Sequence, residues 1–267
     1  MIHTLACALQ PEHAVSGFDR VLFGAYDEFD SFDPPTRAAV HLLMDAMPDA
    51  DLIAGHISYA TLRDRYSHAR LATVLREPLS RLLSFWLFWR GHIDEQLQQW
   101  GSWGDRVRLS RQPLETFLSL QCLACQNDNQ AIRMLLSPHP LIPLDGFIAA
   151  EHDDQLLSEA HQTLSRFSFV DVVENPALVT RLGEWLGNAC VTQTMNETAL
   201  LPVSVRGQLE KELTPKAFFL LDRHCRLDLE LWSTVVRQRM AEHDPLQLRL
   251  HIACKSTARF ARVMAGT

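Results

Sequence analysis

The sequence predicts an α/β fold with a mostly parallel sheet and a largely helical C-terminal half. Helical and extended patterns alternate in the first third of the 267-residue chain, which is typical of βαβ units. From Pro113 onward the apolar pattern is almost entirely helical, and only the extended run 169–173 interrupts it. The length suits a single domain over residues 1–267, in which residues 214–267 form a helical C-terminal extension.

The individual elements follow from the spacing of apolar residues and from start signals. Short runs of apolar and β-branched residues predict strands at 20–26, 51–57 and 71–75. Apolar residues at helical spacing predict helices at 2–10, 35–47, 78–100, 114–126, 155–166 and within 214–243. We expect the strands at 52–57 and 71–75 to lie side by side in one parallel sheet, because they are successive apolar runs joined by a helical segment.

Composition and charge exclude some classes of function. The formal net charge of −7 argues against a general nucleic-acid binder, which is usually basic. Positive charge comes almost wholly from arginine, since Lys211, Lys216 and Lys255 are the lysines of the chain. Arginine is the better residue for bidentate recognition of phosphate or sulfate, and an arginine-rich composition also follows from GC-rich coding.

The cysteines and the apolar runs predict a location. The six cysteines are scattered through apolar patterns rather than spaced as a disulfide framework. The longest apolar run, Phe85–Trp89, is far shorter than the ~18 residues that a transmembrane helix needs. We therefore expect a chain without a transmembrane segment, in the reducing cytoplasm.

The most informative stretch is ARLATVLREPLSRLLSFWLFWR, residues 69–90. Arg76 follows a predicted strand, Pro78 opens a helix, and Arg81 and Ser84 complete the spacing R-x-P-x-x-R-x-x-S. A helix N-terminus carries partial positive charge and free N–H groups, so it favours an anion. Arg76 and Ser84 can therefore converge on one phosphate.

This strand-Arg-turn-helix-Ser unit resembles the 3′-phosphate-binding motif of sulfotransferases that use 3′-phosphoadenosine 5′-phosphosulfate (PAPS). Upstream, GHISY at Gly55–Tyr59 is similar to a segment of the glycan-modifying heparan sulfate 2-O-sulfotransferase branch. The resemblance spans about residues 50–235. Three later segments also agree in order: 126–136, 167–187 and 220–232. It implies a P-loop-NTPase-like parallel sheet flanked by helices.

The resemblance also implies a reaction. PAPS would be the co-substrate, a hydroxyl of a carbohydrate-type acceptor would receive the sulfuryl group, and neither a metal nor a nucleic acid would be required. His56, at the end of a predicted parallel strand, would be the general base, while Arg76 and Ser84 would hold the 3′-phosphate. We expect these three side chains to border one cleft. In the structural alternatives, His56 caps a turn, Arg76 forms a salt bridge and Ser84 hydrogen-bonds within its own helix.

One part of the family pattern is missing. These enzymes hold the 5′-phosphosulfate with a Pro-Lys-(small)-Gly loop after the first strand, but no lysine precedes Lys211 here. Thr4-Leu5-Ala6 resembles the tail of that loop, so the first strand and the loop would lie before Met1, and a helix should begin near Ile2. The alternative function is therefore a catalytically impaired or truncated relative that acts as a nucleotide-binding or interaction module; a kinase-like phosphotransferase is a third hypothesis.

Other suggestive groups have a functional and a structural interpretation. The pair Cys122/Cys125 has metal or redox spacing, yet it lies in a helical pattern and predicts core packing. The run 152–154 (His-Asp-Asp) resembles a metal cluster but suits the first turn of a helix. Aromatic residues near 86–100 are expected in the core or at a sugar site: Trp86, Phe88, Trp89 and Trp100. Three arginines could bind an acidic acceptor or form a solvated face: Arg63, Arg65 and Arg70.

Overall fold

The computed structural model describes residues 8–32, 41–42, 49–190 and 201–267. In this part of the chain the fold is mixed α/β, with strands in two parallel sheets and a largely helical second half. The first sheet has the order β2-β1-β3 and the second contains β4 and β5. The strands are β1 (Ala14–Asp19), β2 (His41–Leu42), β3 (Leu52–His56), β4 (Ala72–Leu75) and β5 (Phe169–Val172).

Helices make up most of the remaining described residues. The α-helices are α1 (Tyr59–Arg65), α2 (Pro78–Arg90), α3 (Asp94–Gln99), α4 (Gly101–Arg108), α5 (Leu114–Ser119), α6 (Ala124–Asn127), α7 (Gln130–Leu136), α8 (Asp153–Leu164), α9 (Leu178–Leu186), α10 (Leu209–Glu212), α11 (Pro215–Arg239) and α12 (Pro245–Ala265). Short 3₁₀ segments cover Arg20–Phe23, Phe29–Ser31, Leu109–Arg111, Gln121–Leu123, Ala150–His152 and Val203–Val205. The predicted α/β class with parallel strands and a helical second half is confirmed.

The predicted neighbours within the sheet are wrong. β3 pairs in parallel with β1, whereas β4 pairs in parallel with β5, so the segments expected side by side belong to different sheets. Each apolar run is compatible with several partners, and sequential strands are neighbours only about two-thirds of the time. The strand neighbours therefore depend on long-range packing that local periodicity does not encode.

The strand predicted at 20–26 is also wrong, because the chain forms a 3₁₀ turn at Arg20–Phe23. Asp19 caps this turn by accepting a hydrogen bond from the N–H of Val21 at 3.2 Å. Gly24 then takes a positive φ of 67°, which ends the turn and which glycine adopts without steric cost. A short buried apolar run suits a turn as well as a strand.

The remaining elements are mostly as predicted. The helix expected at 78–100 is interrupted at 91–93, where α2 ends and α3 begins. The helix expected at 2–10 lies largely outside the described residues. So does the helix expected at 35–47, of which only His41–Leu42 is described, and those two residues form β2.

The core positions the candidate site through α2. This helix packs against both α11 and α12, and Leu82 and Trp86 on it are fully buried. A second cluster surrounds Trp232 on α11 and includes residues of β4 and β5. The N-terminus of α2 therefore meets the end of β4 and the middle of α12. No helix of the described ranges is both long and apolar enough to cross a bilayer.

Candidate functional site

The N-terminus of α2 is capped by the chain itself. The carboxylate of Glu77 accepts hydrogen bonds from the N–H groups of Leu79 at 3.2 Å and Ser80 at 2.6 Å. Arg249 lies 3.7 Å from the same carboxylate, and burial raises the pKa of Glu77. The N–H groups that the sequence pattern offered to a phosphate are thus bonded to Glu77, and an anion here must be held by side chains.

Arg76 directly follows β4 and is half-buried. Its Nη2 donates to the hydroxyl of Ser80 at 3.1 Å, and no carboxylate of the described residues is within ion-pair distance of it. The carboxylates of Glu174 and Glu77 act on Arg76 from beyond that distance, and Glu174 accepts hydrogen bonds from the N–H of Glu77 at 2.9 Å and from Trp232 Nε1 at 3.1 Å. Burial, followed by the positive charge of Arg259, lowers the pKa of Arg76. The direct hydrogen-bond partner of Arg76 is therefore a neutral hydroxyl.

Arg81 occupies a structural position. It donates to the side chain of Gln130, and its Nη2 lies 3.8 Å from the buried carboxylate of Asp228. Asp228 in turn accepts from the N–H groups of Ala131 at 3.0 Å and Ile132 at 3.1 Å, which begin α7. Arg81 thus ties α2 to α7 and α11.

Ser84 lies one helical turn after Arg81 on α2 and is half-buried. Within the part of the chain that the structure describes, its hydroxyl has no hydrogen-bond partner. Residues three apart on a helix share a face. Ser84 therefore keeps a donor on the same side of α2 as Arg81.

His56 ends β3, and its ring stacks on Phe18 with a centroid distance of 4.7 Å and an interplanar angle of 7°. His56 keeps an exposed surface, yet partial burial of its ring, and then the positive charge of Arg81, lower the pKa of His56. The imidazole is therefore neutral at pH 7. Because no described residue hydrogen-bonds to its ring, a nitrogen remains able to accept a proton.

The loop after His56 is held by Asp19, a residue that the motif analysis missed. Its Oδ2 accepts from the hydroxyl of Ser58 at 2.8 Å and from the N–H of Ser58 at 3.2 Å. The Ser58 hydroxyl also caps α1 by accepting from the N–H of Thr61 at 3.3 Å. The serine of the GHISY segment is thus a structural residue, and an aspartate at the end of the preceding apolar strand was the available signal.

Among the described residues, no hydrogen bond or ring contact joins His56, Arg76 and Ser84 to one another. The charge of Arg81 acts on both His56 and Arg76, and Ser84 follows it by one turn. A cavity of about 400 Å³ lies elsewhere, among Val21, Cys125, Arg133 and the loop 137–144, and none of the three predicted residues lines it. A cleft bordered by all three therefore stays a prediction.

The other candidate groups have structural roles. Cys125 is buried, and burial raises the pKa of its thiol to about 12, which leaves it protonated. Asp153 begins α8 and pairs with Arg226 at 2.7 Å, and no cluster of three metal-ligating side chains occurs among the described residues. Trp86 and Trp89 are buried, as expected for core residues, whereas Phe88 is 58% exposed and Trp100 is half-buried.

Comparisons with protein-family models, curated proteins and solved structures give no match for this chain. The resemblance to sulfotransferases therefore remains a hypothesis that depends on the quoted motifs. The function must be inferred from the residues themselves and from their arrangement.

Proposed function

We propose that the protein is a PAPS-dependent sulfotransferase that moves a sulfuryl group to a hydroxyl of a carbohydrate-type acceptor. The single observation that carries this proposal is Arg76, a half-buried guanidinium with a neutral hydrogen-bond partner and no carboxylate within the described residues at ion-pair distance. A half-buried charge with no carboxylate at ion-pair distance is poorly compensated, and a bound phosphate supplies a direct counter-charge. The 3′-phosphate of PAPS is the anion that the motif around Arg76 favours.

Each predicted residue has a defined part in this reaction. Arg76 and the Ser84 hydroxyl donate hydrogen bonds to the 3′-phosphate. The neutral imidazole of His56 accepts the proton of the acceptor hydroxyl as that oxygen attacks sulfur. The bond between sulfur and the 5′-phosphate oxygen breaks, and adenosine 3′,5′-bisphosphate leaves. The parallel strands would then belong to a P-loop-NTPase-like sheet, and the reaction needs no metal.

A specific observation favours a second function, a nucleotide-binding module without transfer. No lysine precedes Lys211, whereas the resemblance implies a loop lysine that stabilises the leaving oxygen. Loss of one preorganised donor of this type costs about 100- to 1,000-fold in rate. Under this second function, residues 1–267 should bind the bisphosphate weakly and show little transfer.

Calorimetry with adenosine 3′,5′-bisphosphate tests the phosphate site. The wild-type chain should bind, and Arg76→Ala should bind roughly ten- to a hundredfold more weakly, because a charged hydrogen bond contributes about 1.5–3 kcal/mol. Arg63→Ala is the control, since Arg63 is exposed and pairs with its neighbour Asp64 at 2.7 Å. If Arg76→Ala bound the bisphosphate as tightly as Arg63→Ala, Arg76 would not belong to the phosphate site.

A transfer assay separates the enzyme from the binding module. Wild type and His56→Ala are incubated with radiolabelled PAPS and a mixture of glycosaminoglycan oligosaccharides. Suppose that wild type forms a sulfated product, whereas His56→Ala binds the bisphosphate but forms none. This result would establish transfer with His56 as the general base. Binding without any labelled product would support the module.

A further inference from the structure

The C-terminal helix reaches the neighbourhood of Arg76 through two serines. The hydroxyl of Ser80, which accepts from Arg76 Nη2 at 3.1 Å, lies 2.9 Å from the hydroxyl of Ser256 on α12. Ser80 is only 1% exposed, so this link is shielded from water. A continuous set of polar side chains therefore joins the end of β4, the first turn of α2 and the middle of α12.

Arg259 lies on the same face of α12 as Ser256, because residues three apart on a helix are neighbours. It is exposed, its guanidinium stacks near the ring of Phe260 at 5.0 Å, and no carboxylate of the described ranges pairs with it. Its charge is the largest electrostatic influence of any side chain on Arg76. Arg259 thus follows, by one helical turn, the serine of α12 that contacts the hydrogen-bond partner of Arg76, and neither guanidinium has a carboxylate at ion-pair distance among the described residues.

Two acidic groups near Arg76, Glu174 and Glu77, offset part of its charge. Glu77 caps α2 and is shared with Arg249, which lies 3.7 Å from its carboxylate. Glu174 accepts hydrogen bonds from the N–H of Glu77 and from an indole N–H. Neither carboxylate is within ion-pair distance of Arg76 or Arg259, so an anion between the two guanidiniums would stabilise both.

We propose that Arg259 and Ser256 of α12 form the second wall of the anion site at Arg76, so that one phosphate monoester is bound between β4 and the C-terminal helix. Two arginines that approach from opposite sides suit a tetrahedral dianion, and a serine hydroxyl adds a donor without adding charge. The inference rests on the proposed function, because it takes Arg76 as the phosphate-binding residue.

Calorimetry with adenosine 3′,5′-bisphosphate tests the inference on wild type, Arg259→Gln and Arg262→Gln. Arg262 is the matched control, since it is exposed on the same helix but its charge is not among those that act on Arg76. Arg259→Gln should weaken binding about tenfold or more, as expected for a lost charged contact. Arg262→Gln should bind like wild type. Adenosine 5′-monophosphate, which lacks the 3′-phosphate, should show no difference among the three proteins.

The outcomes separate this inference from the proposed function. Weaker binding by Arg76→Ala but unchanged binding by Arg259→Gln would overturn the role of α12 and leave the phosphate site at Arg76. Equal weakening by the two glutamine variants would also overturn it, because it would indicate a general effect of charge. Absence of bisphosphate binding by wild type would overturn the proposed site at Arg76 and this inference with it. Circular dichroism on each variant establishes that it is folded.

Discussion

The buried carboxylate of Asp128, between α6 and α7, should be the most sensitive single charge in the described fold. Asp128 is fully buried, and its Oδ2 lies 2.9 Å from Arg133 Nη2 and accepts from the N–H of Ile148 at 2.9 Å. Its Oδ1 lies 3.3 Å from His224 Nδ1. One carboxylate thus joins α7 through Arg133, the loop at Ile148 and α11 through His224.

Replacement of Asp128 by asparagine keeps the shape of the side chain but removes its charge. Arg133 is only 3% exposed, so the substitution leaves a buried guanidinium without a counter-charge. Removal of one partner from a buried pair costs about 3–5 kcal/mol, and the new amide N–H₂ also faces donors. A domain of this kind has a free energy of unfolding of about 5–15 kcal/mol, so Asp128→Asn should remove a large fraction of it.

Urea unfolding measures this loss, with Asp94→Asn as the matched control. Asp94 also contacts two cations, Arg111 at 2.9 Å and Arg108 at 3.4 Å, but its side chain is 62% exposed. Exposed pairs are screened by water, so the unfolding midpoint of Asp94→Asn should remain close to that of wild type. Asp128→Asn should unfold at a much lower urea concentration with a similar slope. Equal midpoints for the two variants would refute the reasoning.

The same carboxylate gives the stability a defined pH dependence. Burial alone would raise the pKa of Asp128, but the hydrogen bond from His224 and the charge of Arg133 outweigh burial and lower it. A folded-state pKa below the unfolded value of about 3.9 adds stability above that pH, and this stability is lost as the pH falls through the folded-state pKa. The midpoint difference between wild type and Asp128→Asn should therefore be full at pH 7 and shrink as the pH is lowered below about 4.

Three further outcomes are expected. Gly55→Ala should lower the thermal midpoint, because a Cβ at Gly55 would overlap the carbonyl oxygen of Gly17 on β1; an unchanged midpoint would contradict this register. In the native protein at pH 8, iodoacetamide should label the exposed Cys254 and spare Cys125, as mass spectrometry of peptides would show. Glu77→Ala should cost about 0.5–2 kcal/mol in urea unfolding, since it removes the N-cap of α2, whereas Glu77→Gln should cost less.

Local sequence predicted those elements whose signal lies within a few residues. β4 and the start of α2 follow from an apolar run, an arginine and a proline within 72–78, and the structure places them there. The pairing of β3 with β1 could not be predicted, because it depends on which of several similar runs pack together. The segment Arg20–Phe23 was predicted as a strand although it is a 3₁₀ turn. Its apolar residues Leu22 and Phe23 are buried, as the residues of a strand would be, so the apolar run does not distinguish the two.

The candidate site divides in the same way. Arg76 was found from its position after a strand, and the structure places it at the end of β4. Glu77 was missed as the N-cap, because glutamate is not among the residues that most favour that position. Ser256 and Arg259 carry no motif and are separated from Arg76 by most of the chain, so only the fold shows that α12 reaches Ser80 beside Arg76.

The contacts around Asp128 also set an order of events during synthesis. The N–H of Asn129 donates to the carbonyl of His224 at 2.7 Å, and the N–H of Ala131 donates to Asp228, 97 residues later in the chain. Such distant partners must be brought together against loop-closure entropy, which slows folding. A growing chain cannot make the cap of α7 until Asp228 has left the ribosome. The start of α7 should therefore remain incompletely bonded, and open to chaperones, until α11 has been translated.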